Sequence, residues 1–307
     1  MNSITTLVEA RFDPHYHNKY ATLMAAGNGA LGVRATHEEA YTTQTRGMFL
    51  AGLYHRAGEG ETTELVNLPD LVGMDIELNG EIFSLLSGEI LSYRRELCFA
   101  SGELTRTVEW RSPHGQRFTL KSERFVSATR LGLFCLRLAI TPVDSAATVR
   151  VATGIDATQT NSGRQHLAER ELRVFENSYL QARYRTLDNV SDVTLGCVCR
   201  VNAQAQVSFR RKTAGYCSTV SRRSLRAKAS RLRNAPGSAR RLTRRMIARQ
   251  RRRWQRCVNA PQWVMTHCWR NPPRPVASGG NRRASRLKAI AVRINRRSIS
   301  RFITCMP

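Results

Sequence analysis

Apolar and polar residues alternate with a period of two along much of the first two-thirds of the chain. In Met74-Asp75-Ile76-Glu77-Leu78 every second residue is apolar, and Glu81-Ile82-Phe83-Ser84-Leu85 follows after Asn79-Gly80. Alternation of this kind predicts half-buried strands, and Asn-Gly suits the positive φ angles of a two-residue type I′ turn, so the pair predicts a β-hairpin. Further strand-like runs come at short intervals: LTRTVEW ending at Trp110, RFTLKSERFV from Arg117, LGLFCLRLAI closed by Thr141-Pro142, ATVRVATG, SYLQARYR and VTLGCVCRV. Turn residues such as Ser112-Pro113-His114-Gly115 separate them, and helices do not alternate with them. The pattern predicts a mainly β protein built as an antiparallel β-sandwich, with Trp110 in the core.

Charge divides the chain in two. Of 49 Lys+Arg and 23 Asp+Glu in 307 residues, positions 1–210 carry 22 and 23, and positions 211–307 carry 27 and none. The net charge is therefore −1 through Arg210 and +27 after it, and the overall +26 belongs to the second part. This sets the expected domains: a sandwich over 1–210 and a basic tail of low order over 211–307. The amino terminus has no signal-peptide pattern, and no run approaches the ~18 apolar residues of a membrane span, so a soluble, cytoplasmic protein without membrane contact is expected. Four of the eight cysteines, Cys98, Cys135, Cys197 and Cys199, stand in apolar strand-like runs and read as reduced, buried thiols. Cys197 and Cys199 should face the same side of one strand, without zinc-site spacing.

Candidate chemistry is sparse. His15 and His17 lie two apart, as metal ligands on a strand would, yet no Cys or carboxylate follows at ligand spacing, so no metal site is predicted. Gly27-Asn28-Gly29-Ala30-Leu31-Gly32 fits the dinucleotide pattern G-x-G-x-x-G. That motif works only between a buried strand and a helix, with an acidic residue about 20 positions on. Here KYATLMAA precedes it, VRATHEEAYTT follows it and the acidic residue is missing, so a glycine turn between packed strands is expected and no cofactor is assigned. Arg34, Arg46, His55 and Arg56 are the side chains most able to hydrogen-bond a sugar hydroxyl or a phosphate. Each could equally serve the backbone inside a sandwich loop. Glu59 and Glu61 sit in a glycine-flanked loop, too loose to hold a catalytic carboxylate pair at its required spacing, and read as solvated charges.

Within NKYATLMAAGNGALGVRATHEEAYTTQTRGMFLAGLYHRAGEGETTELVNLPD, residues 18–70, the segments GNGALGVRA, TRGMFLAGLY and ELVNLPD stand in a recognisable order. Together with SGELTRTVEW, RFVSATRLGL and TGIDATQTNSGRQHL they closely resemble the amino-terminal domain of glycoside hydrolase family 65, the kojibiose, maltose and trehalose phosphorylases, with the kojibiose enzymes nearest. The likeness stops near Arg210. The resemblance implies a β-sandwich and a parent enzyme that phosphorolyses an α-linked glucose disaccharide with inversion, giving β-glucose 1-phosphate. It implies no metal or organic cofactor: a Glu protonates the leaving oxygen while phosphate attacks the opposite face of the sugar. It also implies that this Glu and the phosphate-binding residues belong to a following (α/α)6 barrel, of which this chain holds nothing. The expected partners of the parent are thus the disaccharide and phosphate, with homodimerisation through the sandwich. For this chain no catalytic, cofactor-binding or metal residue is assigned.

Two readings of residues 211–307 stand open. Taken as written, 24 Arg and three Lys without a carboxylate make a disordered arm that binds nucleic acid or other anions non-specifically by counterion release. Its aromatic residues, Tyr216, Trp254, Trp263, Trp269 and Phe302, lack the regular interleaving of a base-stacking surface. The other reading is a shifted frame. Back-translating Arg293 to Pro307, and taking the last base of each codon with the first two of the next, permits DQQALDFALYHMHA; the same shift over Arg253 to Pro273 permits LAALRQCAAVGYDALLAESA. These peptides have ordinary acidic content and resemble the family's continuation, and Trp254, Met265 and Met306 allow no codon choice. On this reading the chain is a truncated phosphorylase, inactive alone, with open sandwich edges and poor solubility. A stand-alone carbohydrate-binding module is a third, weaker reading, since no platform of exposed aromatics is visible in 1–210.

Overall fold

The computed structural model describes residues 5–175, 179–201, 206–212, 215–225, 263–267 and 290–294. All its strand pairs are antiparallel, in three sheets. The largest has ten strands. Its path runs β1 (Thr6–Glu9), β8 (Glu89–Cys98), β9 (Glu103–Arg111), β10 (Arg117–Val126), β11 (Leu133–Pro142), β18 (Trp263–His267), β15 (Asp192–Val201), β14 (Tyr179–Thr186) and β13 (Leu167–Phe175). The strand β19 (Ile290–Ile294) pairs with β11 and β15. A five-stranded sheet orders β16 (Gln206–Lys212), β17 (Gly215–Leu225), β12 (Ala147–Asp156), β6 (Met74–Leu78) and β7 (Glu81–Ile82). A four-stranded sheet orders β2 (Ala26–Gly27), β3 (Leu31–Val33), β4 (Met48–His55) and β5 (Glu64–Asn67). Among the described residues the one helix is α1 (His17–Leu23), and it is too short to cross a membrane.

The predicted alternation sets these layers. In β9 and β10 strictly alternate residues are buried, placing Leu104, Val108, Trp110, Phe118 and Leu120 inward, and β12 does the same with Ala147, Val149, Val151 and Ile155. Inward residues of all three sheets join one apolar cluster, which is the core of a β-sandwich. Trp110 is fully buried in it, edge-on to Phe83, with its indole N–H donating to Ser87 O at 2.7 Å. The hairpin at Asn79-Gly80 forms as expected, with φ of 54° and 87° and Leu78 facing Glu81, although β7 ends at Ile82 rather than Leu85. The structure shortens it because Phe83 N donates to Ile76 O and the chain then turns into the core.

The expected domain boundary at Arg210 falls inside β16, and β17 continues the second sheet across it by pairing with β12. The other readings made on 211–307, the shifted frame and the low order of the tail among them, lie outside the described residues apart from the strand backbone of β17, β18 and β19. So do the side chains of Cys217, Cys257, Cys268 and Cys305. Cys98, Cys135, Cys197 and Cys199 are free thiols on strands, as expected, but only Cys135 and Cys197 are almost fully buried, Cys98 and Cys199 being partly exposed. Burial pushes the Cys199 thiol up to about 12, so it is inert as a nucleophile at neutral pH.

Gly88 is the glycine on which the core most depends. Its φ is 70°, and an added Cβ would collide with Arg111 O and lie 2.8 Å from the Trp110 indole nitrogen. Gly88→Ala therefore combines left-handed strain with displacement of the core tryptophan, and should cost about 2–4 kcal/mol. Urea unfolding followed by tryptophan fluorescence would read this; an unchanged midpoint would contradict it.

Candidate functional site

The segments with the most sequence character converge beneath the irregular stretch Ala35–Glu39, between β3 and β4. Arg95 on β8 lies directly across from Arg106 on β9, which in turn lies across from Ser122 on β10. Arg124 sits one inward position further along β10. All three guanidiniums are buried. Like charges placed opposite one another repel, and an uncompensated buried cation is costly, so this sheet face is stable only with carboxylates brought to it.

Glu38 and Glu39 answer that need. Arg106 donates to Glu39 through Nη1 at 2.5 Å and Nη2 at 2.7 Å, and its Nη2 lies 2.8 Å from Glu38 Oε2. Arg124 Nη1 is 3.8 Å from Glu38 Oε1, and its Nη2 donates to Thr36 O. Arg95 Nη1 donates to Ala35 O at 2.9 Å, while its Nε lies 2.7 Å from Glu9 Oε2, which also accepts from Tyr93 Oη. On the far side Arg46 pairs with Asp70 at 3.0 Å and donates to the Glu38 and Glu39 carbonyls. Four guanidiniums, of Arg46, Arg95, Arg106 and Arg124, thus meet four carboxylates, of Glu9, Glu38, Glu39 and Asp70. Burial alone would push the Glu38 carboxyl up, but Arg106 and Arg124, helped by Ser122, outweigh it and hold Glu38 at about 2. Burial brings Arg124 down to about 10, with Arg95 and Arg106 adding to it against Glu38. His37, packed among Phe12, Tyr41 and Tyr93, is held neutral by burial and by the same arginines.

A second interlock joins the other motifs. Asn67 accepts from Met48 N at 3.1 Å and donates to Arg46 O and Thr160 O, and its own N–H donates to Asn161 Oδ1 at 2.8 Å. Asn161 returns a bond to Leu65 O. Asp70 and Asp156 exchange backbone hydrogen bonds, and the Asp70 carboxylate accepts from the Val72 and Gly73 amides. A Cβ at Gly47 would lie 2.8 Å from both Arg34 Cδ and Phe49 Cε2, so any larger residue would have to displace both side chains. TRGM, ELVNLPD and TGIDATQTN are thus complementary parts of one backbone clamp.

The sequence candidates fall mainly on the structural side. Arg46 is consumed in the ion network, and Arg34 donates to Asn18 O at 3.2 Å at the foot of α1. His55 is buried against His166, a partner sequence reasoning did not name, and only Arg56 stands exposed. His15 and His17 are not on a strand: His15 is exposed in the turn beside Asp13, whereas His17 opens α1 and is buried. Among the described residues no group of three His, Cys, Asp or Glu is placed to hold a metal. The glycine motif is a hairpin turn, as expected: Gly27 pairs with Gly32, and Asn28 Oδ1 accepts from Ala30 and Leu31 N–H where a phosphate site would leave them open. Glu61 pairs with Arg164 at 3.0 Å and Glu59 faces solvent. Sequence reasoning missed Glu9, Glu38, Glu39, Arg95, Arg106 and Arg124. The available signal was charge in the inward phase, as in Leu104-Arg106-Val108-Trp110.

This arrangement of motif segments is the point at which comparison with known proteins becomes informative. Residues 7–265 match the description "Glycosyl hydrolase family 65, N-terminal domain". The chain belongs to glycosyl hydrolase family 65. The match runs beyond Arg210, where the motif resemblance ended. A kojibiose phosphorylase of Escherichia coli (strain K12) is 57% identical over 212 residues, covering 69% of this chain and 28% of that protein. One from Halothermothrix orenii is 44% identical over 177 residues, covering 57% and 23%. An alpha,alpha-trehalose phosphorylase of Thermoanaerobacter brockii is 31% identical over 165 residues, covering 48% and 21%. A solved human-microbiome protein, provisionally assigned as a kojibiose phosphorylase, shares the fold with a TM-score of 0.64 at 16% identity, over 73% of this chain and 30% of that one. The family 65 chain thus spans less than a third of the length of these relatives.

Removing a cation from the family 65 network should unfold it rather than tune it. Arg106→Met leaves Glu38 and Glu39 without their principal counter-charge and should cost about 3–5 kcal/mol in urea unfolding. The pH dependence has a definite sign. Glu38 is lowered in the folded state, so its stabilisation is complete above its unfolded value of about 4.3 and is lost as pH falls toward 2. An acid transition of the native chain that stayed flat between pH 5 and 2.5 would contradict this.

Proposed function

We propose that this chain is the amino-terminal, non-catalytic part of a disaccharide phosphorylase of the kojibiose type. Its parent enzyme carries out inverting phosphorolysis of an α-linked glucose disaccharide, such as kojibiose or maltose, to β-glucose 1-phosphate. The observation that carries this reading is the fate of the cations. Of the candidate cations in the motif segments, Arg46 is turned inward against Asp70 and Arg34 is spent on the Asn18 carbonyl, leaving Arg56 exposed, and the buried Arg95, Arg106 and Arg124 are met by Glu9, Glu38 and Glu39. Such a domain supports a neighbouring catalytic domain and supplies no acid of its own. The general acid and the phosphate site then belong to a barrel encoded in the frame recovered by the one-base shift beyond Arg210, and this chain alone is inactive.

The purified chain, incubated with kojibiose and phosphate, should release no glucose 1-phosphate above a no-protein control; release above it would overturn the reading. Resequencing the coding DNA across codons 200 to 220 should restore an open frame that continues into a barrel with a catalytic Glu.

A second reading rests on residues 211–307, with 27 Lys+Arg and no Asp or Glu. If that tail is expressed as written it makes the chain a non-specific nucleic-acid or anion binder. RNA affinity would then fall steeply with salt and disappear in a chain ending at Arg210.

A further inference from the structure

His55 and His166 face each other across the sandwich end with their Nδ1 atoms 2.9 Å apart and their rings nearly perpendicular. Both are almost completely buried, at 3% and 1% exposure. The contact is too short for two nitrogens sharing a tetrahedral zinc, which at Zn–N of about 2.0–2.1 Å stand roughly 3.3 Å apart. It is a hydrogen bond, and a nitrogen-to-nitrogen bond has one donor and one acceptor. The neighbours decide which is which. His55 Nε2 receives the Asp188 backbone N–H at 3.3 Å, so this nitrogen carries no proton. A neutral His55 must then hold its proton on Nδ1 and donate it to His166 Nδ1. His166 in turn holds its proton on Nε2, which lies 3.3 Å from Glu64 Oε2.

We infer that His55 and His166 form a one-directional imidazole relay, an acid-sensitive latch that holds the segment 157–166 and the turn at Asp188 against β4. The chain of donors runs from the Asp188 amide through both rings, and the His166 Nε2–H ends within charge-pair distance of the Glu64 carboxylate without a formed hydrogen bond to it. It has no place for an added proton. Protonating His55 puts N–H on Nε2, against the Asp188 N–H; protonating His166 puts N–H on Nδ1, against the His55 N–H. Either event sets two donors face to face.

The latch joins distant parts of the chain. His55 ends β4, where a bulge at Ala51-Gly52, with Gly52 at φ 84°, shifts the strand phase and turns Leu53 and His55 inward. His166 enters β13 at the end of the segment whose Asn161 clamps Asn67, and its carbonyl accepts from Leu187 N. The charged groups around the pair are Glu64 on β5, Glu61 in the β4–β5 loop with its partner Arg164, and Asp188. The Asp188 carboxylate is occupied by Thr186 Oγ1 and Val190 N. Burial, with His55 adding to it, pushes His166 below the usual histidine range, while Glu64 and Glu61 pull the other way. A histidine lowered in the folded state contributes stability that is complete above about 6.5 and is lost as pH falls below it.

The test uses the full 307-residue chain. Imidazole nitrogen NMR at pH 7.5 should show His55 as the Nδ1–H tautomer and His166 as the Nε2–H tautomer. The reverse assignment, or both rings averaging between tautomers, would overturn the inference. The Asp188 amide should exchange slowly at pH 7.5 and at least about tenfold faster, beyond the chemical change in rate, at pH 5.5. His55→Phe keeps an apolar ring in place and should remove that pH dependence. Should His55→Phe fail to fold, Glu64→Gln carries the test from the exposed end of the relay. Losing this carboxylate makes His166 harder to protonate and should move the opening transition down by about 0.3–0.7 pH unit. An Asp188 amide indifferent to pH in the native chain, or a Glu64→Gln transition unmoved or shifted upward, would overturn the latch.

Discussion

Three guanidiniums on adjacent strands of one sheet face make the central constraint of this fold. Arg95 on β8, Arg106 on β9 and Arg124 on β10 occupy inward positions, and the other inward positions of β9 and β10 are filled with Leu104, Val108, Trp110, Phe118, Leu120 and Ser122. Desolvating three cations costs far more than apolar packing around them returns, unless carboxylates and carbonyls surround them. The stretch Ala35–Glu39 supplies both, through the Glu38 and Glu39 side chains and the Ala35 and Thr36 carbonyls. It can do so because it is irregular: its carbonyls are not spent on a ladder and point at the arginines. Arg46 then holds it from the other side and passes the constraint to Asp70, and through the Asp70–Asp156 backbone bonds to the second sheet.

The family motifs acquire a physical meaning from this chain of dependence. Asp70, Asn67 and Asn161 each make several directed bonds, and Gly47 leaves room for the Arg34 and Phe49 side chains. Such residues fix how three sheets meet. The domain's buried charged residues serve its own interior. That is why strong family membership and a shortage of candidate chemistry go together in this chain.

The two ends of the chain's chemistry differ in kind. The ion network is balanced in charge, four guanidiniums against four carboxylates. The pair of His55 and His166, at the other end of the clamp, is neutral and polarised, and its stability depends on where two protons sit. Glu61, Glu64 and Arg164 lie near enough to influence it and far enough into solvent to be screened. The sandwich holds its core at ordinary pH while this one corner responds to acid.

Period-two alternation, the Asn79-Gly80 turn and the glycine hairpin at 27–32 were legible in the sequence because each rests on local sterics: side chains alternate across a strand, and positive φ favours glycine and asparagine. The motif order carried the family for the same reason, being local in the chain. Pairing was not legible. Nothing in Glu38-Glu39 names Arg106, 67 residues away, and nothing in His55 names His166, 111 residues away. The bulge at Ala51-Gly52 decided that His55 points inward and Tyr54 outward, reversing the phase that plain alternation from Met48 would give. Local pattern fixes which residues form strands and roughly which face they show. Which charge meets which, and so which candidates are sites and which are supports, depends on sheet register and on the irregularity in β4, and those are settled only when the layers close on each other.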